Sequence, residues 1–188
     1  MVARASDPES FSRLVDVLSR GGVAIIPCDT MYGICGVAPD ADDRIRGIKG
    51  RGEEKPFLQL IAEVSWVARV SDMPLPPGLA RYWPGPLTLV FPMRSGGTVA
   101  LRLPDSPFLV QLMRALGRPL FSSSVNRAGQ QPLFDIEAIT GEFEGDVDLV
   151  FDAGNLPPRP PSTLLDVTSR PWRIVREGSV RIPPEDLA

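Results

Sequence analysis

The stretch 6-SDPESFSRLVDVLSRGGVAIIP-27 changes its hydrophobic period once, and that change decides the fold class. Asp7 and Pro8 carry the chemistry of a helix start: a short side-chain acceptor for free backbone N–H groups, then a ring already set for the first helical position. Phe11, Leu14, Val15 and Leu18 recur at three- and four-residue spacing and share one face. Gly21 closes the helix. The next residues, 23-VAIIP-27, are apolar without a break, as in a buried strand. A helix feeding a buried strand is the unit of α/β folds.

The alternation continues outward. The segment 40-DADDRIRGIKG-50 reads as a helix opened by acidic residues, with Ile45 and Ile48 inward. A strand at 57-FLQLIA-62 and a short helix at 64-VSWVARV-70 follow. After the breaks 74-PLPPG-78 and Pro84-Gly85-Pro86 come strands 87-LTLVF-91 and 98-TVALRLP-104, helix 107-PFLVQLMRAL-116 and strand 119-PLFSSS-124. A helix at 134-FDIEAITGEF-143 precedes three strands, 147-VDLVFD-152, 163-TLLDV-167 and 172-WRIVR-176. That closing run predicts a mixed sheet rather than a parallel one. The proline-rich 153-AGNLPPRPPST-163 reads as one loop rather than a linker. No internal repeat stands out, and 188 residues suit one compact domain over 1–188.

Composition narrows the chemistry. Hydrophobic residues are 43% and charged residues 23%, ordinary for a globular protein. No apolar run approaches the roughly 20 residues that span a bilayer. The N-terminus lacks a signal-peptide pattern, so a cytoplasmic location and no membrane partner are expected. The chain holds two cysteines, Cys28 and Cys35, and no histidine. A zinc site from one subunit, a disulfide in a reducing compartment, and Ser-His-Asp or Cys-His catalysis are therefore not expected, and no residue is assigned to metal. A net charge of −3 argues against a platform for sequence-independent nucleic-acid binding. Of the 20 basic residues only Lys49 and Lys55 are lysine. Either the composition favours arginine throughout, or this segment needs a compact ammonium, as phosphate sites often do.

Three segments place polar groups at element ends. In 27-PCDTMYG-33, Asp29 and Thr30 are small hydrogen-bonding groups and Gly33 permits an unusual backbone angle; the plainer reading is a turn with Tyr32 in the core. In 49-KGR-51 with Lys55, three cations at a helix end suit an anion, or simply satisfy the helix dipole. In 122-SSSVN-126, hydroxyls and an amide could orient phosphates or amino acids, or form a local cap. Arg102, Ser162, Thr163 and Arg176 stand at strand ends and read singly as surface residues.

The ordered set PCDTMYG, IKGR, YWPGPLTLV, ALRLP, SSSVN, PSTLLD and IVREG resembles the YrdC-like family of threonylcarbamoyl-AMP synthases, from about residue 8 to about residue 182. The resemblance implies a YrdC/RibB-like α/β fold, a twisted mixed sheet with helices around a concave cleft. It implies a nucleotidyltransferase that forms L-threonylcarbamoyladenylate and pyrophosphate from L-threonine, bicarbonate or CO2, and ATP with Mg2+, for tRNA modification. By position, Thr30, Arg102, Ser122 and Ser162 are threonine contacts. Lys49 and Arg51, with Ser124 and Asn126, are the catalytic group. Arg51, Lys55, Thr98, Ser124, Asn126, Pro132 and Arg176 are nucleotide contacts. Implied partners are tRNA or double-stranded RNA and a downstream threonylcarbamoyl-transferase complex. The competing classes are an RNA-binding module without this chemistry and a paralogue using another amino acid or carbamate.

The chain departs from the family pattern in places. Cys28 stands where the family commonly has threonine, and Val125 where it has alanine. The segment 55-KPFLQL-60 lacks a histidine that many relatives carry near threonine. The longer members also have a C-terminal domain, and the expectation here is a short, single-domain member.

Overall fold

A computed structural model describes residues 1–50, 52 and 56–187. Arg51 and Lys55, two of the expected site residues, lie outside the described residues.

The opening helix is α1 (Ser10–Ser19), and the strand after it is β2 (Val23–Pro27). Asp7, expected as the cap, sits three residues before the helix, where its Oδ1 accepts from the N–H of Glu9, the residue at the cap position, at 2.9 Å. A strand that sequence reading did not foresee, β1 (Val2–Arg4), precedes α1. A second, β3 (Tyr32–Val37), turns directly back on β2. Helix α2 spans Asp42–Lys49 and ends on Gly50 at φ 62°, the left-handed conformation glycine adopts without strain. Strand β4 (Leu58–Leu60) follows, and 64–69 form a 3-10 helix. Then come β5 (Leu87–Pro92), β6 (Thr98–Arg102), α3 (Pro107–Leu116) and β7 (Leu120–Ser124). Ser106 caps α3 through Leu109 N–H and Asp135 caps α4 (Ile136–Phe143) through Ala138 N–H. The chain closes with β8 (Leu149–Asp152), β9 (Thr163–Asp166) and β10 (Arg173–Arg176).

Among the described residues the ten strands make one sheet in the order β1-β8-β2-β3-β7-β4-β6-β5-β9-β10. It is mixed, as the closing strands predict: β2 pairs parallel to β8 but antiparallel to β3, and β5 pairs antiparallel to β6 but parallel to β9. Helix residues Leu14, Leu18, Leu109, Leu112 and Met113 pack with Trp66, Leu79 and Trp83 in one core. Ile45, Ile48, Ile139 and Phe143 pack with Ile25 and Ile34 in another.

Register places the site. Cys35 lies opposite Ser122, and Ser122 opposite Leu58. Leu60 lies opposite Arg102, Leu164 opposite Thr88, and Arg176 opposite Leu164. Because side chains alternate with period two, each such row presents its members on a common face. Polar ends of strands far apart in sequence thereby line one concavity.

Candidate active site

That concavity is a cleft of about 540 Å³, inside the roughly 300–1,000 Å³ usual for small-ligand sites. Thr30, Arg102, Ser122, Ser124, Asn126, Pro132, Ser162 and Arg176 all line it. Lys49 and Thr98 do not. Thr98 is exposed at the outer end of β6, opposite Pro92 and four residues from Arg102.

Lys49 stands behind the cleft wall. Its side chain is 4% exposed. The ammonium donates to Ser124 O at 2.5 Å, Asn126 O at 2.9 Å and Asn126 Oδ1 at 3.0 Å. Ser124 Oγ donates to the same Asn126 Oδ1 at 2.6 Å. The Asn126 amide donates to Arg127 O and Gln130 O. Val125 between them is fully buried, so its larger side chain is a core anchor. Arg127 donates to Ile48 O at 2.6 Å and lies over the Phe143 ring. The Ser124-Val125-Asn126 segment is thus held from below by a lysine, a core valine and an arginine.

At the opposite wall, Arg176 donates to Ser162 O at 2.9 Å and Ser162 Oγ at 3.3 Å, and Ser162 Oγ meets Thr88 Oγ1 at 2.8 Å. Burial of the guanidinium and then the charge of Arg102 lower the Arg176 pKa from the usual arginine value. Two like charges converge where their repulsion favours an anion between them. Gly178 packs so closely that a Cβ there would lie 2.3 Å from Pro161 O. That glycine in the IVREG motif lets the 153–161 loop approach the last strand.

On the floor, Arg102 and Asp29 pair at 3.0 Å with 3% and 5% exposure. The contact lacks hydrogen-bond alignment. Arg102 Nε and both Asp29 carboxylate oxygens are buried with no hydrogen-bond partner among the described residues. Arg102 lines the cleft together with Thr30 and Ser122, and a guanidinium is suited to a carboxylate. Gly33 serves differently from expectation. Its φ is not positive; instead a Cβ would lie 2.8 Å from Ser122 Oγ and 3.0 Å from Cys28 Sγ. Tyr32 is fully buried, and its hydroxyl donates to Gly154 O at 2.8 Å. Tyr32 is thus the core residue of the plainer reading, while its neighbours Cys28, Thr30 and Gly33 line the cleft.

Some lining residues escaped sequence reading. Thr88 was signalled only as a hydroxyl inside the apolar run LTLVF. Arg159 hides in the proline-rich loop, where its Nη1 donates to Asp29 O at 3.4 Å and lines the cleft. Among the described residues no three His, Cys, Asp or Glu side chains cluster to hold a metal, and Asp29 faces Arg102. No helix among them is long and apolar enough to cross a membrane.

A mixed sheet whose strand ends bring arginines and hydroxyls to one cleft defines the class, an α/β protein. The chain belongs to the Sua5/YciO/YrdC family, described as "Telomere recombination", which matches residues 16–178. A Mycobacterium tuberculosis (strain ATCC 25618 / H37Rv) relative named "Putative threonylcarbamoyl-AMP synthase" is 32% identical over 93% of this chain and 88% of its own length. A Mycobacterium leprae (strain TN) relative of the same name is 31% identical over 94% and 88%. Among solved structures, P. abyssi Sua5 complexed with L-threonine superposes with TM-score 0.84 at 25% identity, covering 95% of this chain. This chain spans only 57% of that one. E. coli YciO superposes with TM-score 0.83 at 24% identity, over 98% of this chain and 97% of its own, and shares the fold.

Proposed function

We propose that this protein is a threonylcarbamoyl-AMP synthase. The observation that carries the proposal is that Arg102, whose Nε finds no partner among the described residues, lines one cleft with Thr30 and Ser122. A guanidinium for a carboxylate and two hydroxyls for a polar side chain make a receptor for a hydroxy amino acid. The relatives' name and the threonine complex of P. abyssi Sua5 support that reading.

In the proposed reaction the threonine amine first adds CO2, derived from bicarbonate, and loses a proton to form a carbamate. A carbamate oxygen attacks the α-phosphorus of ATP, the bond to the bridging oxygen breaks, and pyrophosphate leaves. The attacking group is already an anion, so a chain without histidine can serve by positioning and charge neutralisation. Arg102, Thr30, Ser122 and Ser162 orient the amino acid. Arg176, Ser124, Asn126 and Pro132 face the nucleotide; Arg51, Lys55 and Thr98 have that role from the family resemblance alone, and Thr98 lies outside the cleft. Lys49 acts by holding Ser124 and Asn126 in place. The described residues form no carboxylate cage for Mg2+, so Mg2+ belongs with the ATP phosphates as part of that substrate. The product is labile and is assigned to a downstream transferase that acts on tRNA.

The test is incubation with ATP, labelled bicarbonate and single amino acids, with adenylate and pyrophosphate measured. Threonine should be used well ahead of serine and glycine. Pyrophosphate without amino-acid preference would overturn the substrate, and no adenylate with any amino acid would overturn the enzyme. Salt-resistant tRNA binding in that second case would favour an RNA-binding module.

A further inference from the structure

Both cysteines of the chain converge on the amino-acid end of the cleft. Cys28 is half-buried in the cleft wall and Cys35 is fully buried on β3. Six residues separate them, but the β2–β3 hairpin folds them together. A Cβ on Gly33 would lie 3.0 Å from the Cys28 sulfur and 3.2 Å from the Cys35 sulfur. The missing side chain of Gly33 therefore leaves one small space that both sulfurs border. Ser122 Oγ borders it too, 3.7 Å from Cys28 Sγ. The floor around them holds the unpartnered Nε of Arg102, whose side chain is 3% exposed.

The two thiols are electrostatically unlike. The Cys35 thiol beside it, and then the charge of Arg102, lower the Cys28 pKa from the usual thiol value. Burial pushes Cys35 well above it. One thiol borders the cleft with its pKa lowered; the other is shielded with its pKa raised. Reactive cysteines differ from structural ones in those two respects.

We propose that Cys28 and Cys35 form a peroxide-sensitive thiol pair that closes the amino-acid end of the cleft. The Cys28 thiolate attacks one oxygen of hydrogen peroxide, breaking the O–O bond; hydroxide leaves and Cys28 becomes a sulfenic acid. The Cys35 sulfur then attacks the Cys28 sulfur. Its proton and the sulfenic hydroxyl leave as water, and a Cys28–Cys35 disulfide remains. Peroxide is reduced and the two thiols are oxidised, so the steps balance. The bond draws Cys28 over Gly33 and away from Ser122, deforming the floor beside Arg102 and Thr30. The thiol chemistry stands on the geometry alone; its effect on turnover rests on the proposed function.

The experiment exposes the full chain to graded hydrogen peroxide and reads two signals. Peptide mass mapping reports the cross-link, and calorimetry reports L-threonine binding. The expected result is a Cys28–Cys35 cross-linked peptide, a loss of threonine binding in step with it, and recovery of both with dithiothreitol. Reduced protein treated briefly with iodoacetamide should be alkylated at Cys28 at least about tenfold faster than at Cys35. Cys35→Ala should stop at the Cys28 sulfenic acid, trapped by dimedone, and Cys28→Ser should form no cross-link and keep its threonine affinity through the peroxide series. Absence of the cross-link while methionines oxidise overturns the proposal, as does equal labelling of the two thiols. So does peroxide-induced loss of binding in Cys28→Ser. If the cross-link forms but untreated protein binds no threonine, the thiol pair stands and the functional reading fails.

Discussion

Arg102 of β6 and Asp29 of the β2–β3 turn form a buried ion pair at 3.0 Å, and neither group completes its hydrogen bonds with the protein. A pair of this kind contributes little net stability, but removing one partner strands the other charge in the interior. Asp29→Asn and Arg102→Met should each destabilise the fold by about 3–5 kcal/mol. The double variant should lose at least about 1 kcal/mol less than the sum of the single losses, because no stranded charge remains. Urea unfolding of the four proteins checks this, and strict additivity would show that the two groups do not act together.

Lys49 was read from sequence as a contact for substrate anions, and its burial behind Ser124 and Asn126 changes what its loss should do. Lys49→Ala leaves buried carbonyls without their donor and should cost about 1–3 kcal/mol of stability. Loosening Ser124 and Asn126 by as little as about 1 Å should cost on the order of a hundredfold in turnover. Melting temperature and adenylate formation, measured together, test the pair of outcomes. An unchanged melting temperature would mean that Lys49 does not brace this loop.

Gly33→Ala isolates close approach from backbone conformation, since φ at Gly33 is not in the left-handed region. The added methyl meets Ser122 Oγ, Cys28 Sγ and Cys35 Sγ. Overpacking of this sort costs about 1–3 kcal/mol, and threonine binding should weaken with it. Gly47→Ala, which meets nothing within 4 Å, should leave binding unchanged. Titration calorimetry on both variants distinguishes local crowding from a general intolerance of alanine.

Acid should weaken the tie between Arg44 of α2 and Asp148, the residue just before β8. Arg44, and then the Val23 N–H, lower the Asp148 pKa below the usual carboxylate range. A carboxyl with a depressed folded pKa stabilises fully above its unfolded value, about 3.9, and loses that contribution as pH falls through the lower folded one. Arg44→Ala should therefore cost about 1 kcal/mol or less at neutral pH, the pair being partly exposed. The deficit should shrink as pH drops below about 4. Parallel denaturation curves from pH 7 to pH 2 read the convergence, and a deficit that grows in acid would contradict it.

Much of the fold was legible because local chemistry and burial agree. Helix α3 occupies the predicted residues since Ser106, Pro107 and Gly117 mark its ends independently of any packing. Strand β3 was missed because Tyr-Gly-Ile-Cys-Gly-Val carries two glycines, which weaken a strand pattern. It is a strand because β2 and β7 hold it on both sides, and its glycines admit Ser122 Oγ and Ala41 Cβ. Strand β1 has three residues and exists through its pairing with β8. No three-residue window could announce it.

By itself the sequence determined the α/β class, the mixed closing strands and the order of the polar motifs, because period, caps and turn residues act over a few positions. Tertiary structure decided what those motifs do. It brought Thr30, Arg102, Ser122, Ser162 and Arg176 to one cleft, since strand register joins residues distant in the chain. It turned Lys49 from a helix-end cation into a buried brace, and it set Asp29 against Arg102 and Cys28 beside Cys35. Sequence spacing carries no such information, because whether a charge meets solvent, a ligand or another charge depends on which distant strand lies opposite.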